Sequence, residues 1–478
     1  MSSTTRFDEL TRMLQTQRDA FLAEGPPALG VRLDRLERLA ALVRENGRPI
    51  VEAISADFGH RSPELTELSD VADVIGPIRH AQQHLADWMR PETRQVNPPL
   101  DALGAISRVE YQPLGVIGVM APWNSPARLA LHPLIDILSA GNKAMLKLSE
   151  LTPLCSDLLA ELVPRYFDAT EVGVVTGGPD VAAAFSELPF DHLIFTGGTV
   201  VGRKVMRAAA ENLVPVTLEL GGKCPVIVGR SADTELTADR IAVAKFLNSG
   251  QACIAPDYLL VPEERLAEYV DAITRSTAEQ YPTLVDNLDY TSIINTAHFE
   301  RIAGYVSDAR ARGAEVIEIN PAGEDLTDQP TRKYAPTLVI EPAQEALVST
   351  EEIFGPLLPI KTYRGVDEAI AYVNARPRPL ALYYFGQDKE EETRVLSRTT
   401  SGNAVVNDIA AHTFQYDLPF GGVGASGMGR YRGQDGFRTF SHAKGVFVQS
   451  DQDVARMSGL RPPFNERTRA LIDALTQA

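Results

Sequence analysis

At 478 residues the chain is several times the roughly 100–150 residues of a typical domain, which excludes a binding peptide or small module and predicts two or three domains. Hydrophobic residues at 44% and charged residues at 23%, without a low-complexity tract, fit a protein folded throughout. Lys plus Arg number 46 against 63 Asp plus Glu; the formal charge of -17 argues against nucleic acid as partner but leaves a local basic patch free to hold a phosphorylated cofactor.

The chain opens on a polar segment, Met1–Leu10, with no apolar signal core, and no later run approaches the roughly 18 apolar residues of a membrane span. A cytoplasmic protein without membrane contact is expected. Leu33, Leu36, Leu39 and Val43 recur at helical spacing and predict a helix over Val31–Arg44; a second helical stretch covers Thr66–Met89. Arg90-Pro91 and Asn97-Pro98-Pro99 then interrupt it, as a surface excursion or an extended strand. From Gly115 to Val228 short apolar runs alternate with amphipathic stretches. The strands are predicted at Val116–Met120, Ala144–Leu148, Val172–Val175, His192–Phe195 and Val216–Leu218, with crossover helices at Ala127–Ala140, Leu154–Tyr166 and Val200–Ala210. That is the pattern of a doubly wound dinucleotide-type domain. A second alternation, through Tyr258–Val261, a helix near Arg265–Glu279, Thr337–Ile340 and Ile360–Tyr363, predicts another α/β domain. No short internal repeat is seen.

Four places along this chain can carry chemistry. Lys147 and Glu150 follow the strand ending at Lys147, at the carboxyl edge where open α/β sheets bind ligands; they read either as ribose-binding groups or as an exposed Lys and a helix cap. Gly197-Gly198-Thr199-Val200-Val201-Gly202, between a strand and a helix, reads either as a phosphate cradle or as a tight turn. Glu219, in an apolar strand ending at Gly221-Gly222, is either a buried general base or a carboxylate satisfied by backbone donors. Cys155, Cys224 and Cys253 are too few and too scattered for a disulfide framework or a metal site, so no metal is expected. Cys253, in a Gly-containing loop before a strand, is a small buried hydrophobe or a single reactive thiol.

Taken together and in order, these pieces resemble the aldehyde dehydrogenase superfamily. The motifs are Tyr111-Gln112-Pro113-Leu114-Gly115-Val116, Pro122-Trp123-Asn124, Lys147-Leu148-Ser149-Glu150, Phe195-Thr196-Gly197-Gly198-Thr199, Leu218-Glu219-Leu220-Gly221-Gly222-Lys223, Gly250-Gln251-Ala252-Cys253, Glu352-Ile353-Phe354-Gly355-Pro356 and Pro419-Phe420-Gly421-Gly422. They cover nearly the whole chain, and the distance from Glu219 to Cys253 matches the family's base-to-nucleophile spacing. The short N-terminal region, Gln251 to Tyr258, Arg461-Pro462-Pro463-Phe464, Asp57-Phe58-Gly59-His60-Arg61 and Phe440-Ser441-His442-Ala443-Lys444 are similar to the bacterial coniferyl-aldehyde and fatty-aldehyde dehydrogenase branch, whose members are homodimers.

The resemblance implies two doubly wound α/β domains plus a small β oligomerisation excursion. Residues 1–94 and 117–220 would bind the dinucleotide, 221–410 form the catalytic domain, 95–116 and 411–450 bridge subunits, and 451–478 form a tail. It implies oxidation of an aldehyde, whether aromatic such as coniferyl aldehyde, medium-chain or acidic, to the carboxylic acid. Cys253 would add to the carbonyl, Asn124 and the Cys253 N–H would form the oxyanion hole, and Glu219 would activate the water that cleaves the thioester. Lys147 and Glu150 would hold the adenosine ribose, Gly197, Gly198, Thr199 and Gly202 the pyrophosphate turn and helix, and Glu352 with Phe354 the nicotinamide riboside. Glu150 tilts the cofactor towards NAD, with NADP as the alternative. The competing readings are a CoA-acylating enzyme, in which a thiol replaces water, and a silent scaffold, which would be expected to lose Cys253 or Glu219.

Three departures stand out. Gly198 replaces the usual Ser or Asn, Cys224 replaces a Ser, and Ser125 replaces a customary aromatic. Residues 124, 128 and 132 share a helical face that in the family lines the substrate tunnel, with Ile254 beside it. Ser125, Arg128 and His132 therefore predict a roomier, more polar tunnel that takes an acidic group through Arg128, unless Arg128 pairs with a neighbouring acid or reaches solvent.

Overall fold

The structure is a computed structural model describing residues 3–98, 100–327, 329–457 and 459–477. Pro99 of the predicted interruption, Met1 and Ser2 of the polar start, and Ser458 and Ala478 of the tail lie outside the described residues.

Two parallel-rich sheets dominate. Val116–Met120, Lys143–Lys147, Val172–Val175, His192–Thr196 and Val216–Glu219 pair in parallel, and each first neighbour is consistent with a doubly wound sheet: Val116–Met120 lies centrally between Lys143–Lys147 and His192–Thr196. Both faces are covered by helices, which is why Val116–Met120 and Lys143–Lys147 are buried at every position and read as unbroken runs rather than alternating ones. The strand order reverses beside Val116–Met120, and the carboxyl ends there leave the crevice in which such sheets bind ligands. A sixth strand, Gly427–Met428, returns from far along the chain and pairs antiparallel with Val216–Glu219, setting Gly427 opposite Glu219.

The second sheet runs in the order Glu315–Glu318, Thr337–Ile340, Leu357–Tyr363, Tyr258–Pro262, Pro225–Val228, Ala381–Phe385, Asn403–Val406 and is parallel except at its Glu315–Glu318 edge. A third, antiparallel sheet joins Glu92–Arg94, Ile106–Pro113 and Ser441–Val448.

The predicted Thr66–Met89 helix is interrupted: a turn at Pro63–Thr66, a π-helical turn at Glu67–Ala72, and a helix over Asp73–Trp88. The π turn adds a residue to the helical circuit, and it carries Asp70, fully buried, against the helix Pro126–Ala140.

Candidate active site

A cavity of about 360 Å³ opens where the carboxyl ends of the first sheet face the second. The first sheet contributes Asn124, Lys147, Glu150, Gly197, Gly198 and Glu219, each just beyond or at the end of its strand; the second half of the chain contributes Cys253, Glu352 and Phe354. Thr199 and Gly202 sit on the adjoining helix Thr199–Ala210, whose first turn forms the wall beside Gly198.

Cys253 is held by a loop with little freedom. Asn248, Ser249 and Gly250 have φ of 51°, 51° and 69°, three successive left-handed residues, a conformation that persists only when neighbours enforce it. Gln251 enforces it: fully buried, its Nε2 donates to the carbonyls of Asn248 and Ser292, and its Oε1 accepts from Ile294 N at 3.0 Å. Its carbonyl accepts from Asn124 Nδ2 at 3.3 Å, which ties the amide of Asn124 to the cysteine loop. On the far side Tyr383 Oη donates to Ile254 O at 2.6 Å and Cys224 Sγ to Cys253 O at 3.4 Å. Ile254 is thus anchored through its backbone, outside the cavity lining.

Two carboxylates face the sulfur. Glu219 is 3% exposed, neither oxygen has a hydrogen-bond partner among the described residues, and burial drives its carboxyl well above the usual range, opposed by the charge of Arg432. Of the two sequence readings, satisfaction by backbone donors is therefore not what the strand end provides. Glu352 is pushed up to about 7, by burial first and by Asp257 next. It lies over Gly221, where a Cβ would come within 2.0 Å of Glu352 Oε1, so only glycine lets this carboxylate reach the cavity. Cys253 itself is pushed up to about 12 by burial, then by Glu352 and Glu219.

The remaining groups fit a dinucleotide. The helix Thr199–Ala210 starts at Gly198 with no side-chain cap, leaving its first N–H groups to a ligand, and a Cβ on Gly198 would have open space. Gly202 is packed differently: a Cβ would strike Leu220 at 2.6 Å, so glycine brings helix and strand together there. Lys147 Nζ donates to Leu148 O at 2.6 Å and lies 3.3 Å from Glu150, and burial lowers its pKa.

The helix face after Asn124 is spent internally. Arg128 Nε lies 2.8 Å from Asp73 Oδ2, and its backbone N–H donates to Asp70. His132, buried, is 2.8 Å from the Asp73 carbonyl and is held neutral by burial and by Arg128. Ser125 is buried as the first residue before that helix. Arg128 thus has the neighbouring acid of the second alternative, and none of these three lines the cavity.

Sequence reasoning passed over several lining or supporting residues. Trp123 and His298 line the cavity with ring centroids 5.1 Å apart, and Trp123 meets the edge of Phe354 at 5.3 Å. Arg301 donates to the carbonyls of Ile353 and Phe354, and Phe354 itself has φ of 44°. Lys223 pairs with Asp257 and donates to the carbonyls of Val348 and Glu351, while Asp257 accepts from Ile353 N at 2.9 Å. Trp123, Lys223 and Asp257 stand inside quoted motifs and could have been found there; His298 and Arg301 have no motif to announce them.

A profile described as the aldehyde dehydrogenase family matches residues 8–446. The chain is 54% identical over 468 residues to a coniferyl aldehyde dehydrogenase of Pseudomonas sp. (strain HR199 / DSM 7063), covering 98% of this chain and 96% of the relative. Its fold is similar to Staphylococcus aureus AldH in its substrate-bound state, with a TM-score of 0.89, 33% identity, and 97% and 99% of the two chains covered. It is also similar to an NAD-dependent aldehyde dehydrogenase from Sinorhizobium meliloti, with a TM-score of 0.83, 28% identity and 96% and 89% covered.

Proposed function

The chain belongs to the aldehyde dehydrogenase family, and we propose that Cys253, Glu219 and Asn124 are the groups with which it performs its NAD(P)-dependent oxidation of an aldehyde to the carboxylic acid. The observation that carries this reading is the convergence, in one cavity, of a thiol, a buried carboxylate without partners and a side-chain amide tied to the thiol's loop. Cys253, its proton released to solvent, adds as the thiolate to the aldehyde carbon. The developing alkoxide is met by Asn124 Nδ2 and the Cys253 N–H, donors worth about 3–4 kcal/mol each in comparable acyl chemistry. A nicotinamide held by Glu352 and Phe354 would supply the acceptor for the hydride lost from the adduct carbon. Cys253 is left as a thioester. Glu219, as the carboxylate, then takes a proton from the water that attacks the thioester; the C–S bond breaks, Cys253 leaves as the thiolate, and the acid departs.

Lys147 and Glu150 hold the adenosine ribose in this reading. Glu150 would repel a 2′-phosphate, which favours NAD over NADP. Glu352 over Gly221, and Phe354 against Trp123, fit the nicotinamide riboside. The dinucleotide-binding role belongs to segments 1–94 and 117–220, and the thiol to 221–410. An aromatic aldehyde of the coniferyl type is favoured over an acidic one, because the charge of Arg128 is offset by Asp73 and the 54%-identical relative carries the coniferyl name. Water rather than coenzyme A is the acyl acceptor, since Glu219 is retained and buried beside the sulfur.

Among the described residues no helix is long and apolar enough to cross a membrane. Three free thiols fit a reducing, cytoplasmic setting. Among the described residues the strand Ser441–Val448 ends the third sheet with an unpaired edge and exposes Phe447 and Val448, which supports a homodimer built by pairing that edge.

The test is formation of reduced cofactor from a panel of aldehydes. Wild type should favour hydroxycinnamaldehydes, Cys253→Ser should lose turnover, and Glu219→Gln should give one burst and stop. Turnover retained in Cys253→Ser would falsify the covalent route.

A further inference from the structure

Arg61, buried, and Arg128, largely covered, have their charge met. Arg61 lies 3.1 Å from Asp70, and Arg128 lies 2.8 Å from Asp73. Arg432 differs. Among the described residues no carboxylate oxygen lies within ion-pair distance of its guanidinium, yet it is only 7% exposed. Its backbone N–H donates to Asp136 Oδ2 at 2.8 Å, its Nη1 to the Thr413 carbonyl at 2.6 Å, and its Nε has no hydrogen-bond partner. The guanidinium carbon stands 4.3 Å from the centre of the Phe420 ring, and the backbone is held at φ of 87°, a strained angle for a residue with a side chain.

This cation is built onto the support of the candidate base. The segment from Phe420 to Tyr431 closes on itself through the Phe420–Tyr431 bridge, and its strand Gly427–Met428 pairs residue for residue with Glu219 and Leu218. The titratable groups that act on Glu219 from the elements around it are Cys253, Tyr431 and Arg432, and of these only Arg432 carries a positive charge. Around Arg432 itself stand Asp73, Asp136, His132, His412 and Tyr416; burial holds both histidines neutral, His412 at about 4, and raises Asp136 to about 7. Once Cys253 is acylated its sulfur no longer titrates, which leaves Arg432 and the phenol of Tyr431 as the titratable groups acting on Glu219.

We propose that Arg432 is a positioning residue for the hydrolytic half of the reaction: a buried cation, fixed by Asp136 and Thr413, that favours the carboxylate form of Glu219 the attacking water needs. The inference rests on the assignment of Glu219 as base. Burial favours the neutral acid, and a fixed cation is the one feature here that opposes it.

Rapid mixing of enzyme, cofactor and aldehyde separates the two half-reactions, because the burst of reduced cofactor reports acyl-enzyme formation and the following steady phase reports thioester hydrolysis. In wild type the acid limb of hydrolysis should lie below the range of about 8–9 reached by buried, unassisted glutamates. Arg432→Gln, which can still donate to Thr413, should keep the burst but move the limb up by about one unit, about tenfold slower hydrolysis at pH 7, recovered at high pH. Arg432→Lys should restore the wild-type limb, which a merely structural role would not predict. A wild-type limb at or above about 8, a limb that does not move in Arg432→Gln, or equal shifts in both variants overturns the inference alone. If Cys253→Ser retains turnover, the covalent reading falls and this inference with it.

Discussion

Cys253 rests in surroundings that keep its sulfur protonated, with burial first and the charges of Glu352 and Glu219 next pushing the thiol up to about 12. The thiolate is the reactive form, so in the free enzyme its fraction should grow about tenfold per pH unit throughout the neutral and mildly alkaline range. Iodoacetamide inactivation of the free enzyme is expected to accelerate steadily from pH 7 to about 10. A plateau below pH 9 means that a cation or base near the sulfur has been missed. Gly221 offers a second residue-scale check. Gly221→Ala puts a methyl against Glu352 and should raise the cofactor KM about tenfold, about 1.4 kcal/mol of lost binding, while alkylation of Cys253 is unaffected. At this scale Cys253, Glu219, Asn124 and Glu352 were legible because each stands in a short motif. The partner of Arg128 was not: Asp73 is remote in sequence, and only the π turn and the following helix bring it under Arg128.

Among the elements, the loop that carries Glu352 and Phe354 depends on a strut from another segment. Lys223, largely covered, and Asp257, buried, pair with each other and between them hold the carbonyls of Val348 and Glu351 and the N–H of Ile353. Removing one member of such a pair strands the other charge, a loss of about 3–5 kcal/mol. Lys223→Met is therefore expected to lower Tm by several degrees and raise the cofactor KM, and Lys223→Met with Asp257→Leu should recover part of the stability but not the KM. A double variant no more stable than the single one contradicts the strut. Strand positions were legible to within a residue or so at Val116–Met120, buried throughout, and at Val172–Val175. The helix Ser3–Glu24 was not, because its contact is narrow: Leu10 and Leu14 bury, and Gln17 donates to the carbonyls of Ala144 and Ala169, a polar contact that periodicity does not register. Pro225–Val228, Ala381–Phe385 and Asn403–Val406 also went unassigned; short apolar runs do not declare whether they are strand or buried helix.

For the whole molecule, two α/β units and a β excursion were foreseen, but not the return of Gly427–Met428 into the first sheet. That pairing joins residues some two hundred apart, and a two-residue strand has no pattern of its own. It matters because it ties the C-terminal segment to the strand ending at Glu219. The exposed edge of Ser441–Val448 belongs to the same scale. If that edge pairs with a second copy, Phe447→Asp should shift sedimentation from dimer towards monomer; an unchanged dimer would locate the interface elsewhere. The central claim, that oxidation runs through an acyl group on Cys253 released by Glu219-activated water, is tested most directly by acid-quenching Glu219→Gln after mixing with NAD and coniferyl aldehyde and weighing its peptides. The account predicts the acyl mass on the peptide containing Cys253, accumulating to near one per site; continued acid production with that peptide unmodified would contradict it.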